Sequence, residues 1–470
     1  MPRQATVSSG QTDPDRLRRL RLLNRVGCIG IPLVIILMLL IGWWTGGSWS
    51  ERRLQQEIAR LKSAGVLLPP EDLIPHVPHG ERNGADLYER AFLIHNFPPE
   101  EQSAIHDLET GGLQWLARVH EVVERNKGYY QLLDEAARTP ACAFPVNWAD
   151  PYASTPHYAK LREAARMLAL RAELLAAAAD YDGALESCST GLRLAEHVKL
   201  EPSIISQLVA YAIQQIILSR LDEALQSGSP TAEACRRLFD QIGSIDQTGP
   251  SVRAAQGELT LAGMAIFAMA RAAHARALAR ILDLPEAAIA AYASYGRPLL
   301  IADQITYLHY MEKRIAAYSK PYVAAGDLAW EAVAILEEAP GYRSLITQQI
   351  AFAGSSLGLR ARDEVTAHLG AIQIALALKV FQWDHNRYAD TLAELAGEGW
   401  SLPKDPFAVP EADYGYHRDR DGFVVWSLGP DLDNDFGVSR QDRLRPALTT
   451  EARSRALRSM DYDIVVRCPN

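Results

Sequence analysis

Near the C-terminus the chain reads Asp431-Leu432-Asp433-Asn434-Asp435-Phe436-Gly437. Carboxylates at alternate positions suit a hard cation such as calcium, which takes roughly six to eight oxygen ligands. Asp442 stands eleven residues after Asp431, where a closing carboxylate would sit. Asp431, Asp433, Asp435 and Asp442 are therefore the candidate calcium ligands. A solvated acidic turn is the competing reading, because Phe436 occupies the glycine position of a helix–loop–helix calcium loop and no clear flanking helices are present.

Other potential chemistry is sparse. His76-Val77-Pro78-His79 is followed by Glu81, but the stretch is a proline-rich linker with no second ligand cluster, so these read as surface residues. His274, His309 and His368 are lone histidines on helical stretches, which suits packing or partial exposure. Gly354-Ser355-Ser356-Leu357-Gly358 lacks the preceding strand that a nucleophile elbow needs. No GxxxxGK[ST] loop and no strand–GxGxxG–helix unit is found, so neither nucleotide nor cofactor binding has support. Glu100–Glu101 and Glu337–Glu338 read as solvated helix ends. Catalytic carboxylates need no local motif, which keeps an envelope hydrolase, with its site between helices, as the alternative reading. The five cysteines form no CxxC motif. Among Cys142, Cys188, Cys235 and Cys468, one or two disulfides and buried free thiols are equally compatible with the sequence.

The elements that must position these residues begin with Val26–Trp44, 19 residues without a charge. That length is close to the roughly 20 residues a membrane-spanning helix needs. Arg16, Arg18, Arg19, Arg21 and Arg25 precede it, and Trp43, Trp44 and Trp49 lie at its far end. The arginines favour a cytoplasmic N-terminus, and tryptophan prefers the membrane interface. The expectation is a single-pass protein of the bacterial inner membrane: a basic tail (1–25), one transmembrane helix (26–44), a juxtamembrane helix and linker (45–83), and an extracytoplasmic, periplasmic bulk. The net charge of −9 leaves no basic footprint for nucleic acid.

From 84 to 360 the pattern is helical, with breaks at proline and glycine, and a mainly α extracytoplasmic domain is expected. Residues 161–197 read as two amphipathic helices meeting at Asp180-Tyr181-Asp182-Gly183. Ala172, Tyr181, Ala184 and Leu185 give this pair a resemblance to one tetratricopeptide hairpin, and a generic helical hairpin fits equally well. After residue 385 strand-like runs appear at Asp413–His417 and Gly422–Ser427. The Asp421-Gly422 turn between them predicts a β-hairpin, and Ile464–Val466 suggests a last strand.

Residues from about Ala361 to Gly437 resemble the soluble part of type II secretion major pseudopilins. The matching features come in order. A long helix carries the stripe Val365, Leu369, Ile372, Leu376 and Val380, and Asn386-Arg387-Tyr388 and Leu392–Leu395 follow it. Next are the loop Leu402-Pro403-Lys404-Asp405-Pro406-Phe407, then Tyr414-Gly415-Tyr416, and last Val425-Trp426-Ser427-Leu428-Gly429-Pro430-Asp431. The resemblance implies a small α+β module over 361–470 and calcium in the loop after Asp431. Residues 45–360 separate the anchor from the matching helix, and no leader of the family type is found. That favours a pilin-like module appended to a helical domain over a filament subunit. The expected function is a membrane-anchored scaffold or accessory protein of an envelope or secretion-like assembly that binds protein partners.

Overall fold

The structure is a computed structural model that describes residues 48–94, 116–150, 153–272, 274–351, 357–408, 412–419, 422–439 and 462–469. The expected tail and transmembrane helix, with Cys28, lie outside the described residues.

The described residues are mainly helical and contain one small antiparallel sheet. The first part contains α1 (48–63), α2 (Pro70–Leu73), α3 (Gly84–Ile94), α4 (Leu116–Arg125) and α5 (Lys127–Arg138). Then come α6 (His157–Ala177), α7 (Tyr181–Lys199), α8 (Ile204–Ser227), α9 (Ala232–Gly243) and α10 (Thr248–Gly257), followed by a π-helical turn over Glu258–Gly263. The next group is α11 (Met264–Arg271), α12 (Ala275–Leu282), α13 (Glu286–Tyr295), α14 (Arg297–Tyr318), α15 (Tyr322–Glu338) and α16 (Leu345–Ala351). Last are α17 (Leu357–His385), α18 (Leu392–Gly397), β1 (Gly415–Asp419), β2 (Gly422–Ser427) and β3 (Ile464–Pro469).

Local chemistry explains the boundaries. Asp180 caps α7 by accepting the Gly183 N–H at 2.9 Å. Ser203 caps α8 and Thr231 caps α9 in the same way. Thr231 also ties the α6–α7 hairpin to α9, since its N–H and hydroxyl both donate to the Asp182 carboxylate, at 2.8 and 2.7 Å. In the sheet, β2 is central: Asp419 pairs with Gly422 across the expected hairpin, and Val425 of β2 pairs with Val466 of β3.

Two apolar cores result. The first joins α3–α9 with α17 and the sheet, through residues such as Leu168, Leu192, Leu218, Ile372, Leu376 and Val425. The second joins α1 with α10–α16, through Leu54, Phe267, Leu308 and Ile346. The boundary drawn at 360/361 does not separate them. Helix α17 packs against α8 and α9 on one side and the sheet on another, so the C-terminal strands share the core of helices that lie far upstream. Helices α8 and Gly358–His385 are long and apolar enough to cross a bilayer, but their most apolar windows are 56% and 83% buried within the protein, as core helices are.

The N-terminal end of α17 joins the two cores. Arg362, 1% exposed, donates to the Tyr318 and Lys320 carbonyls, both at 2.6 Å, and to the Asp363 carboxylate at 2.5 Å. Asp363 in turn accepts the Tyr322 N–H. One Arg–Asp pair thus satisfies carbonyls at the end of α14 and an N–H at the start of α15, groups a helix cannot satisfy itself. The four described cysteines are buried free thiols, each pushed up to about 12 by burial.

Breaking a buried pair on one side costs about 3–5 kcal/mol. Arg362→Ala is therefore expected to lower the urea midpoint by that equivalent, and an exposed substitution such as Glu233→Ala to move it by less than about 0.5 kcal/mol. Equal effects would deny the pair its role.

Candidate functional site

A cavity of about 620 Å³ opens where α8, α17 and β3 meet, lined by Asp222, Glu364, His368, Tyr462, Asp463 and Arg467 among others. Glu364 and His368 are four residues apart, so they share one face of α17. Asp222 comes from the facing helix, and Asp463 from just before the third strand.

Their states differ. Glu364 is engaged: Arg360 Nε donates to it at 2.7 Å and the Tyr462 hydroxyl at 3.1 Å. The His368 ring faces Gln215 through Nδ1 at a long 3.5 Å, and its Nε2 is buried with no hydrogen-bond partner. Burial holds this imidazole neutral, with its pKa down to about 4. Asp222 has one buried oxygen without a partner, and burial pushes its carboxyl up to about 6. A neutral imidazole and a carboxyl that ionises near neutrality, both unsatisfied at one cavity, can exchange protons with a polar guest. Ser219 also lines the cavity.

Asp463 connects the cavity to the acidic loop. Its carboxylate accepts the N–H groups of Gly437, at 2.7 Å, and Asp435, at 3.3 Å. Burial pushes it up to about 6, and the charges of Asp435 and Asp431 add to that rise. In the loop itself, Asp431 accepts the N–H groups of Tyr462 and Asp433, and Asp433 accepts that of Asn434. Leu432 and Phe436 take positive φ, 66° and 55°, where glycine is the easier residue. Asn434 accepts from the Trp426 indole at 2.9 Å, fixing the loop to β2. Asp442 lies outside the described residues. Among the described residues, no group of three His, Cys, Asp or Glu side chains is arranged to hold a metal, around His76 and His79 or elsewhere.

Of these residues, sequence reasoning singled out the loop aspartates and noted His368 only as a lone histidine suited to packing or partial exposure. It missed Asp222, Glu364, Tyr462 and Asp463. The single local signal is the Glu364–His368 spacing; the other members lie far apart in sequence. A further link surfaced in the resembling segment. Asp405 is buried and accepts from the Ser427 hydroxyl at 2.6 Å and the Leu428 N–H at 2.9 Å, so the Leu-Pro-Lys-Asp-Pro loop is tied to the strand before the acidic loop.

Asp222 gives a pH test with a definite sign. Its folded pKa, about 6, lies above its ordinary 3.8. The folded state therefore holds the proton more tightly: Asp222 leaves stability intact below about pH 4 and costs stability as pH rises through 6. Asp222→Asn is expected to stabilise the protein by about 1–3 kcal/mol at pH 7.5 and by close to nothing at pH 4. His368 works in the opposite direction, favouring the fold above about pH 6.5 and losing that contribution as pH falls toward 4. Urea unfolding at both pH values checks this; a variant destabilised equally at both would contradict it.

Comparisons with protein-family models, with curated proteins and with solved structures find no match.

Proposed function

We propose that this chain is a membrane-anchored, extracytoplasmic accessory protein of an envelope assembly, in which the pilin-like segment braces a helical body. The burial of α17 carries this reading. Ile372, Ile374, Leu376 and Leu378 are all fully buried within the chain's own core. A filament subunit needs a helix face left over for its neighbours; here the middle of the helix, residues 369–380, is buried on every face against α8, α9 and the sheet. The module therefore acts as a bracket, and protein partners bind elsewhere on the helical surface.

The anchor has support beyond residues 26–44. Trp49 and Arg343 line one cleft beside the start of α1, next to Tyr342, and both Trp49 and Tyr342 are largely exposed. Arg53 lies over the Trp49 ring and Arg343 over Tyr342. Exposed aromatic rings paired with arginines suit a headgroup layer.

Calcium in the acidic loop belongs to the same proposal. Asp431, Asp433 and Asp435 bring negative charge onto one short segment that packs against Asp463, whose carboxyl is raised by burial and further by the Asp435 and Asp431 charges. A cation would offset that charge, with oxygens now accepting loop N–H groups turned to the metal. The second reading, an envelope hydrolase, is favoured by the Asp222–Glu364–His368 cavity alone.

Millimolar calcium at pH 7.5 is expected to raise the melting temperature of the protein by a few degrees, reversed by chelator and absent in Asp431→Ala/Asp433→Ala. No shift would leave the loop a plain acidic turn. The hydrolase reading predicts turnover of a fluorogenic ester, phosphoester or glycoside that His368→Gln and Asp222→Asn abolish; a panel without turnover removes it.

A further inference from the structure

A second cavity, of about 390 Å³, lies between α14 and α15, away from the Asp222–His368 site. Its walls are mostly apolar and include Trp330, Gly326 and Leu432, the last from the acidic loop. Arg314 also lines it and is 7% exposed. Its guanidinium donates to the Tyr310 hydroxyl at 2.9 Å and the Tyr318 hydroxyl at 3.2 Å. The Tyr310 hydroxyl passes its own hydrogen to the Ala351 carbonyl at 2.8 Å.

Among the described residues no carboxylate forms an ion pair with Arg314. Glu258, on the π-helical turn, acts on Arg314 only at longer range. Burial raises its pKa, and its oxygen accepts from Ile204 N–H and the Ser203 hydroxyl instead. A guanidinium has five donors, and neutral hydroxyls neither use them all nor cancel the charge. A buried cation with only neutral partners is costly unless an anion arrives. The position of that cation, in the wall of an apolar cavity of ligand size, defines what would fit.

We infer that this cavity binds an anionic amphiphile, its head on Arg314 and the tyrosine hydroxyls and its single apolar arm along α15 toward Trp330. A free medium-chain carboxylate and an anionic lipid share this chemistry. Leu432 places the guest against the acidic loop. The site rests on neither the anchor nor the calcium reading.

The test uses the full chain in nanodiscs and a photoactivatable diazirine derivative of dodecanoate, with adducts mapped by mass spectrometry and the methyl ester as control. Adducts are expected on residues 310–333 with the acid and not with the ester. A charge-assisted hydrogen bond contributes about 1.5–3 kcal/mol, so Arg314→Gln is expected to weaken labelling about tenfold or more. Gly326→Phe guards against misfolding of that variant. Gly326 lines the cavity and a Cβ there meets nothing within 4 Å, so a ring at this position is expected to obstruct the cavity and abolish labelling with the melting temperature unchanged. Competition by unlabelled dodecanoate but not by phosphatidylglycerol in the nanodisc assigns a free carboxylate; the converse assigns a lipid. Labelling equal for acid and ester, unchanged in both variants, or absent from 310–333 would overturn the site and leave Arg314 as the distant counter-charge of Glu258.

Discussion

The architecture depends on two adjacent residues at the start of one helix. Arg362 and Asp363 are buried where α14 ends and α15 begins, and each satisfies backbone groups of that corner. Without them, two carbonyls and an N–H would be buried unpaired, each at a cost of about 1–3 kcal/mol. Burial opposes the Asp363 charge and Arg362 favours it, so neither residue is tolerable there alone. Because both belong to α17, the corner of the second core is locked to the central helix of the first.

That lock explains the position of the polar residues. α17 presents apolar side chains to α8, α9 and the sheet over most of its length, but Glu364 and His368 emerge on the one face where β3 leaves a gap. There Asp222, His368 and Asp463 all have titration shifted by burial. Natural cores remove such groups when nothing requires them, since apolar replacements of similar size are often at least as stable. Keeping a carboxyl that resists ionisation beside a neutral imidazole is the pattern of a site that handles protons or a polar guest. The neighbouring acidic loop meets the same cost at Asp463, and Asp463 is the residue shared by the two.

Much of the local structure was legible. Asp421-Gly422 announces the hairpin, and the hydrophobic stripe of α17 is plain. Periodicity failed where the backbone departs from the α-helix. Within the helical stretch, a π-turn at Glu258–Gly263 interrupts the run between α10 and α11, and Asn126 separates α4 from α5. The helix Glu286–Tyr295 carries little periodic signal, because five of its ten residues are alanine. Chain order also leaves open which core a helix joins, because a stripe shows that a helix is buried but not against what. The partners of α17 are separated from it by the whole second core. For the same reason the cavity was invisible: Asp222, Glu364 and Asp463 look like ordinary solvated acids until the fold brings them together.

Native-state hydrogen exchange read by mass spectrometry tests the shared core most directly. If α17 is a structural bracket, amides of Val365–Phe381 exchange together with those of Ile213–Leu221 in α8 and of Phe423–Ser427 in β2, through one unfolding step. Exchange of residues 361–439 in an earlier step of their own, with α6–α8 still protected, would mean that the C-terminal segment is an independent module and would contradict the bracing role proposed for it.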